Sequence, residues 1–175
     1  MIIAKATTDQ LQNVRELYYD VIDDIGDSKD SVGWQKDIYP SPEFLHDALQ
    51  NGELYVGLKD GTVIGTMIMN HQFNEEYRKC PWPTRADDGE VTIIHALAVH
   101  PIQKQKGYAK QLVQFAIDYA RENQQKAIRI DVLPRNRNAK KLYSGMGFRH
   151  VMTTRSFYED IGWEDFELYE YTLVT

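Results

Sequence analysis

The residues that could do chemistry are concentrated where an apolar segment ends and an amphipathic helix begins. The sequence there reads Lys104-Gln105-Lys106-Gly107-Tyr108-Ala109-Lys110, with three lysines beside one glycine. A helix N-terminus exposes unpaired backbone N–H groups and carries a partial positive charge, so it binds phosphate wherever side chains leave the backbone accessible. Gly107 and Ala109 leave it accessible, and the lysines add cations. The pattern predicts a pyrophosphate site. The alternative is a simple turn at Gly107 with solvated lysines.

Two strands and a helix must position this loop. Residues 90–100 include the nearly continuous apolar run Val91 to Val99, which is typical of a central strand covered on both faces. The helix after Gly107 places its apolar residues on one face and its charged residues on the other. Residues 127–133 then alternate, with Ile128, Ile130 and Val132 opposed by Arg129 and Asp131. Together these segments predict a βαβ unit.

The rest of the chain predicts further strands and helices around this unit. Asp60-Gly61 joins two apolar runs as a hairpin, and Ser41-Pro42 starts a helix with a cap and a proline at its first position. The predicted strands are 2–6, 53–59, 63–69, 148–158 and 166–174, and the predicted helices are 11–25, 41–52 and 136–146. We therefore expect an α/β fold, a mixed sheet flanked by helices, in one domain over residues 1–175.

Composition limits the classes of function. The 20 basic and 26 acidic residues give a net charge of -6, which argues against a protein that grips nucleic acid or anionic lipid. Cys80 is the single cysteine, so an intramolecular disulfide is excluded and a reducing compartment is favoured. No apolar run approaches the length of a membrane helix. We expect a cytoplasmic protein with no membrane or nucleic-acid partner.

The order of elements and two motifs resemble the GCN5-related N-acetyltransferase (GNAT) family over essentially the whole chain. Leu97-Ala98-Val99-His100-Pro101, followed by the loop 104–109, is similar to the family's pyrophosphate loop, Gln/Arg-x-x-Gly-x-Gly/Ala. Asn136-Arg137-Asn138-Ala139-Lys140-Lys141-Leu142-Tyr143, ending in Gly147-Phe148, is similar to its Asn-x-x-Ala-x-x-Leu-Tyr segment. Lys104 stands where Gln or Arg is usual, and this changes detail more than function because the loop binds phosphate mainly through backbone amides.

The resemblance implies acetyl-CoA as co-substrate. Leu97 and Val99 would pair through their backbones with the pantetheine arm, as a strand pairs with a sheet edge. The N–H groups of residues 105–110 would bind the pyrophosphate, Asn136 would hydrogen-bond the arm, and Tyr143 would lie near its sulfur unless it is ordinary core packing. The expected cofactor-binding residues are Leu97, Val99, Lys104, Gln105, Lys106, Gly107, Tyr108, Ala109, Lys110, Asn136, Ala139 and Tyr143.

Acetyl transfer to an amine needs a base, a donor for the developing oxyanion and an acid for the thiolate. Tyr143 is the candidate acid, and a strand N–H near Leu97 is the family-like oxyanion donor. Histone-acetylating relatives carry a Glu on the central strand where Ile93 stands here. His95 shares that face and is the candidate base. A structural role for His95 stays open, and Glu90 is the alternative base.

We expect the acceptor to be the primary amine of a small molecule, attacking directly within a ternary complex. Acidic residues near the expected cleft loops (Asp23, Asp24, Asp27, Glu75 and Glu76) favour an amine, although such residues usually solvate a surface. The alternatives are a peptide or protein acceptor, or a non-catalytic CoA-sensing module. The five histidines are scattered, so we expect no metal site. Exposed edge strands near the C-terminus make a homodimer possible.

Overall fold

In the computed structural model, which describes residues 1–26, 32–158 and 161–173, seven strands form one sheet. The strands are β1 (Ile2–Lys5), β2 (Leu54–Lys59), β3 (Thr62–Asn70), β4 (Val91–Val99), β5 (Ala127–Val132), β6 (Arg149–Tyr158) and β7 (Gly162–Thr172). The helices are α1 (Leu11–Ile25), α2 (Pro42–Gln50), α3 (Tyr108–Glu122) and α4 (Arg137–Gly145). Asp27 and Val174, which the sequence assigns to a cleft loop and to the last strand, lie outside the described residues.

The sheet is mixed, as predicted. Its order is β1-β2-β3-β4-β5-β7-β6, and β4 with β5 is the parallel pair. The other neighbours are antiparallel. Helix α3 makes the crossover between β4 and β5, which confirms the predicted βαβ unit. Strand β6 rather than the last strand β7 is the edge at this end, and the homodimer stays a prediction.

Helices cover both faces of the sheet. Helix α3 buries the predicted face, Leu112, Val113, Ala116, Ile117 and Ala120, in one core. Helices α1 and α2 bury their apolar stripes in a second core, which includes Val14, Leu17, Tyr18 and Leu45. Among the described residues, no helix combines the length and the apolar character that crossing a bilayer would need.

Local sequence signals set the element boundaries. The Ser41 side chain accepts a hydrogen bond from Phe44 N–H at 3.1 Å and caps α2, with Pro42 at its first position. Asp60 and Gly61 both take positive φ, 50° and 77°, as a tight hairpin between β2 and β3 requires. These caps and turns are short-range features, and a single sequence predicts them well.

The connection between β3 and β4 is packed against the sheet. It contains short 3-10 turns at Glu75–Lys79 and Asp88–Glu90. Trp82 donates from Nε1 to the Tyr77 carbonyl at 2.8 Å, and its ring lies 4.3 Å from the Arg129 guanidinium carbon. Arg129 in turn donates from Nε to Glu170 Oε2 at 2.9 Å, in a buried pair that also binds the Thr84 backbone. This connection therefore closes over β5 and β7.

The buried pair gives a stability prediction. Replacing Glu170 with Gln should lower the free energy of unfolding by about 3 kcal/mol, because the Arg129 charge would stay buried without its counterion. The matched control is Asp165→Asn, whose partner Arg155 is 3.8 Å away and whose pair is exposed, with side-chain exposures of 66% and 57%. Exposed pairs contribute roughly 0–1 kcal/mol. Urea unfolding measures both variants, and equal losses would contradict the assignment.

Candidate functional site

The sheet opens between β4 and β5. These strands pair only over their first three residues, from Val91 with Ala127 to Ile93 with Arg129. Beyond this point, residues 94–97 and 130–133 line a cavity between the two strands. The backbone edge of β4 that faces β5 therefore has no partner strand over its C-terminal half, among the described strands.

The cavity has a volume of about 120 Å³ and is lined largely by apolar and aromatic side chains. Its walls come from β4, β5, α4, the segment before α2 and the β6–β7 hairpin. Asp131 is its acidic residue, and the described lining contains no Lys or Arg. The lining residues are Val32, Trp34, Tyr39, Ile94, His95, Ala96, Leu97, Ile130, Asp131, Val132, Leu133, Asn136, Ala139, Tyr143, Tyr158, Ile161 and Phe166.

A bulge in β4 lies at the cavity wall. His95 is opposite Ile68, and Ala98 is opposite Thr66, so β4 holds one extra residue between these pairs. Ala96 has a φ of 50°, which is uncommon for a residue other than glycine. His100 N–H binds the Ile64 carbonyl at 2.9 Å, which directs residue 100 toward β3. Successive residues of a strand direct their backbone N–H and C=O groups to opposite edges. The backbone groups of Leu97 and Val99 therefore face the open side.

The loop before α3 has the geometry of an anion site. The backbone turns through positive φ at Gln105 (62°) and at Gly107 (80°), and Gly107 is the residue before α3. Gln111 N–H binds the Gly107 carbonyl, so the N–H groups of the first helical residues have no partner within α3. A Cβ at Gly107 would meet no atom within 4 Å. The backbone is thus open to an approaching phosphate.

The lysines of this loop do not all face the same space. Lys104 Nζ forms an ion pair with Asp24 of α1. Lys106 Nζ binds Gln103 Oε1 at 3.0 Å and the Ile102 carbonyl at 3.3 Å. Lys110 is exposed in the first turn of α3. One of the three lysines that the sequence places together therefore pairs with α1 instead of facing the loop. The backbone N–H groups are then the main anion-binding groups of the loop.

Helix α4 brings its predicted residues to the cavity. Asn136 is the N-cap, and its Oδ1 accepts the Ala139 N–H at 3.1 Å. Tyr143 is buried, with its ring 5.3 Å from that of Phe148. Burial, and secondarily the charge of Asp131, raises the pKa of the Tyr143 hydroxyl above its usual value. The hydroxyl therefore stays protonated at physiological pH, as a proton donor must.

His95 also lines the cavity, but it is anchored on the β3 side. Its Nε2 lies 2.8 Å from Asn70 Oδ1, which already accepts Gln72 N–H, so Nε2 is the donor. Burial lowers the pKa of His95 to about 4, and a backbone hydrogen bond to Gln72 opposes this shift. The imidazole is therefore neutral and weakly basic at pH 7.

Asp131 lines the cavity, and its sequence pattern did not predict it as a site residue. Its Oδ2 accepts hydrogen bonds from Tyr158 at 2.6 Å and from Tyr77 at 3.2 Å. Burial raises the pKa of this carboxyl above its usual value, although the two hydrogen bonds act against the shift. A carboxylate with a raised pKa in a cavity is a candidate proton acceptor.

Glu90 lies at the other end of β4. Its Oε2 forms an ion pair with Lys126 at 2.6 Å and accepts the Asp87 N–H at 2.9 Å. The Lys126 hydrogen bond, followed by the Asp87 backbone, lowers the pKa of Glu90. The cavity lining formed by the described residues does not include it, and its role as alternative base stays a prediction.

The other acidic residues of the expected cleft are mostly neutralised at the surface. Asp23 pairs with Lys36, and Glu75 and Glu76 pair with Arg78 and Lys79 within the 3-10 turn. Asp24 is held by Lys104, as described above. Among the described acidic residues, the negative charge available to an acceptor in the cavity is therefore that of Asp131.

The loop aromatics divide into two groups. Trp34 and Tyr39 line the cavity and contact each other with ring centroids 6.3 Å apart. Tyr77 does not line the cavity, but its hydroxyl donates a hydrogen bond to Asp131, which does. Phe73 stacks on Tyr77, and Trp82 covers Arg129. Of these loop aromatics, Trp34 and Tyr39 are thus the ones that line the cavity.

The arrangement fits acetyl-CoA. The open edge of β4 at Leu97 and Val99 can accept an extended arm, and this edge leads along the chain into the amide-rich loop at Gly107. On the opposite side, the cavity is lined by residues of α4 and its N-cap, namely Asn136, Ala139 and Tyr143. The acyl group would then lie near Tyr143, the arm along the β4 edge and Asn136, and the pyrophosphate at the loop.

Comparisons with known proteins agree with this geometry. The model of the family described as acetyltransferase (GNAT) family matches residues 14–148. No protein of the curated set matches the sequence. A GNAT-family acetyltransferase from Streptococcus agalactiae superimposes with a TM-score of 0.81 at 17% identity, covering 99% of this chain and 96% of that one.

Two further solved structures are similar. The ribosomal-protein-alanine N-acetyltransferase from Brucella melitensis has a TM-score of 0.73 at 17% identity, over 99% of this chain and 100% of that one. The yncA protein from Salmonella typhimurium, solved with its cofactor acetyl-CoA, has a TM-score of 0.69 at 17% identity, over 100% and 95% of the two chains. At these identities the structural likeness shows the fold.

Proposed function

Because the chain belongs to the acetyltransferase (GNAT) family, we propose that it transfers the acetyl group of acetyl-CoA to the primary amine of a small molecule. The amine attacks directly within a ternary complex. The observation that carries the proposal is the cavity at the splayed strands, where Asp131 lies among aromatic side chains. Acetyl-CoA, when bound, supplies the thioester.

The cofactor side of the proposal rests on backbone groups. We assign the pyrophosphate to the N–H groups of residues 105–110 and the pantetheine arm to the open edge at Leu97 and Val99. Asn136 Oδ1 is used as the α4 cap, so its amide Nδ2 is the group offered to the arm. Leu97 N–H is assigned to the developing oxyanion.

The acceptor side favours a cation. Trp34, Tyr39 and Tyr158 present aromatic rings to the cavity, and an ammonium is attracted to such rings and to a carboxylate. No described cation in the lining competes for Asp131. The small volume favours a compact amine over a bulky one.

Asp131 is our proposal for the proton acceptor. A raised pKa makes a carboxylate a better base than an ordinary aspartate, while the pKa of His95, about 4, makes that imidazole a weak one. His95 is held by Asn70 through its Nε2 and then forms part of the cavity wall. A His95→Ala variant with wild-type kcat would support this division of roles.

Tyr143 is our proposal for the acid that protonates the departing thiolate. Tyr143→Phe should lower kcat about tenfold and change the KM for acetyl-CoA by less than about twofold, since a thiolate leaves moderately well unaided. Tyr171→Phe is the matched control, because both rings lie 5.3 Å from that of Phe148. Steady-state kinetics test both variants, and equal kcat values for them would contradict the assignment.

The proposed function is tested by thiol release from acetyl-CoA across amines, amino acids, antibiotics and peptides. Turnover with small amines and not with peptides is the expected result. Peptides are the second candidate, because a more open groove of about 500 Å³ adjoins the cavity and shares Val32, Trp34 and Ile161 with it. Two similar structures, from Brucella melitensis and Escherichia coli, are ribosomal-protein-alanine N-acetyltransferases. Tight CoA binding without turnover on any acceptor would favour a CoA-sensing module.

A further inference from the structure

Tyr18 reaches from α1 to the bulge of β4. Its side chain is 2% exposed, and its hydroxyl donates a hydrogen bond to the Ala96 backbone carbonyl over 2.7 Å. Ala96 is the residue whose positive φ forms the bulge. A buried hydroxyl thus binds the carbonyl of the bulge residue.

The direction of that carbonyl fixes the direction of the next amide. A peptide unit is planar and trans, so the Ala96 C=O and the Leu97 N–H point in opposite directions. Holding the carbonyl toward Tyr18 turns the Leu97 N–H away from α1. His100 N–H binds the Ile64 carbonyl on β3, so by the alternation along the strand the backbone N–H of Leu97 faces the open side. Leu97 also lines the cavity there.

We propose that Tyr18 is a positioning residue for acetyl transfer, whose hydroxyl holds the Ala96–Leu97 peptide so that the Leu97 N–H points into the cavity. The inference rests on the proposed function, in which this N–H stabilises the developing oxyanion. A donor fixed before the reaction needs no reorganisation during it, which is the source of its catalytic value.

The ring of Tyr18 has a separate packing role. It meets the Trp34 ring edge-on, with centroids 5.6 Å apart, and belongs to the core between α1 and the sheet. Tyr18→Phe keeps this packing and removes the hydroxyl alone. The variant therefore separates the hydrogen bond from the fold.

Selective labelling makes the Leu97 amide directly visible. The sequence contains the pair Ala-Leu at 48–49 and at 96–97 only, so carbonyl-13C alanine with 15N leucine gives two carbonyl-correlated amide signals. Acetyl-CoA should shift the Leu97 signal of the wild type and leave the Leu49 signal in place. In Tyr18→Phe, the Leu97 shift should fall to less than about half. An equal Leu97 shift in both proteins would overturn the proposal.

Kinetics provide the second measurement, with the best small amine of the thiol-release panel as acceptor. Tyr18→Phe should lower kcat about tenfold while the KM for acetyl-CoA changes by less than about twofold. Tyr55→Phe is the control, since Tyr55 is also buried and its hydroxyl pairs with Tyr119, away from the cavity. Equal kcat values for the two variants would overturn the proposal.

The two measurements separate this inference from the proposed function. If no small amine of the panel is acetylated, the proposed function fails while the Leu97 signal still tests the role of Tyr18. If Tyr18→Phe does not fold, the wild-type spectrum decides: a Leu97 signal that moves no more than that of Leu49 on adding acetyl-CoA would overturn the orientation inferred for this amide.

Discussion

Asp131→Asn should lower kcat about a thousandfold, the largest effect that we expect from one cavity side chain. Asn keeps the shape of Asp and can still accept hydrogen bonds from Tyr77 and Tyr158, but it cannot take the proton from an ammonium. The fall should be in kcat rather than in the KM for acetyl-CoA, whose assigned contacts lie on β4, α3 and α4. Asp118→Asn on the outer face of α3 is the isosteric control and should retain wild-type kcat.

The same substitution has an opposite effect on stability. The pKa of Asp131 is raised in the folded state, so the folded protein binds this proton more tightly than the unfolded chain does. The stability linked to this group is complete at pH values below the unfolded pKa and is lost as the pH rises through the folded pKa. Asn does not ionise and so does not lose this stability. The Tm of Asp131→Asn should therefore exceed that of the wild type at pH 7, and this difference in Tm should be smaller at pH 4.

The pH profile of kcat supplies a further check. Wild-type kcat should rise with pH through the raised pKa of Asp131, and this acidic limb should be missing from the residual activity of Asp131→Asn. Stopped assays across pH 4 to 8 and thermal unfolding at the same pH values measure the two effects. An Asn variant with wild-type kcat, or with lower Tm at pH 7, would refute the assigned role.

Gly107→Glu should weaken CoA binding about a thousandfold. The left-handed conformation of Gly107, at φ 80°, penalises any side chain, by about 1–2 kcal/mol. The carboxylate adds repulsion toward the pyrophosphate, which at 4 Å amounts to about 4 kcal/mol in a surface environment before solvent screening reduces it. Open space around a Cβ at this position means that the side chain changes the ligand site and not the packing.

Gly107→Gln separates these two causes. Gln has nearly the same size and meets the same backbone penalty, but it carries no charge, so its affinity for CoA should fall only about tenfold. Titration calorimetry with CoA measures both variants, with circular dichroism to verify that each is folded. Equal affinities for the Glu and Gln variants would show that the pyrophosphate lies elsewhere.

The elements of the fold were predictable where the signal is local. The apolar face of α3 repeats over four turns, Ser41-Pro42 caps α2 by itself, and Asp60-Gly61 needs only its own backbone preferences. The βαβ unit follows from the order of three such segments. Each of these depends on residues close together in the chain, which is the information that one sequence carries.

Asp131 shows where this information stops. In β5 it alternates with Ile130 and Val132, and such alternation is typical of a strand with one solvated face. Strand β5 instead lies inside the sheet between β4 and β7, and Tyr77 and Tyr158 cover the polar face from 54 and 27 residues away. A better signal would have been an acidic residue on the second strand of a βαβ unit, because parallel strands are commonly covered on both faces.

The bulge in β4 and the pairing of the loop lysines also could not be predicted from residues close together in the chain. Nothing in the apolar run around Ala96 marks a left-handed residue, because the conformation is stabilised by Tyr18, 78 residues earlier. Lys104 joins the predicted phosphate loop by sequence, but its ion pair is with Asp24, 80 residues earlier. Both contacts come from the packing of α1 on the sheet.

Cys80 offers an experimental handle that follows from its environment. The thiol is buried against Tyr77 and Leu168, and burial raises its pKa to about 11. Since thiolate is the reactive form, a maleimide should not modify the native protein at neutral pH. Modification then requires opening of the connection between β3 and β4 or of the whole chain. The sole sulfhydryl of the protein becomes a built-in reporter whose alkylation rate follows the opening equilibrium.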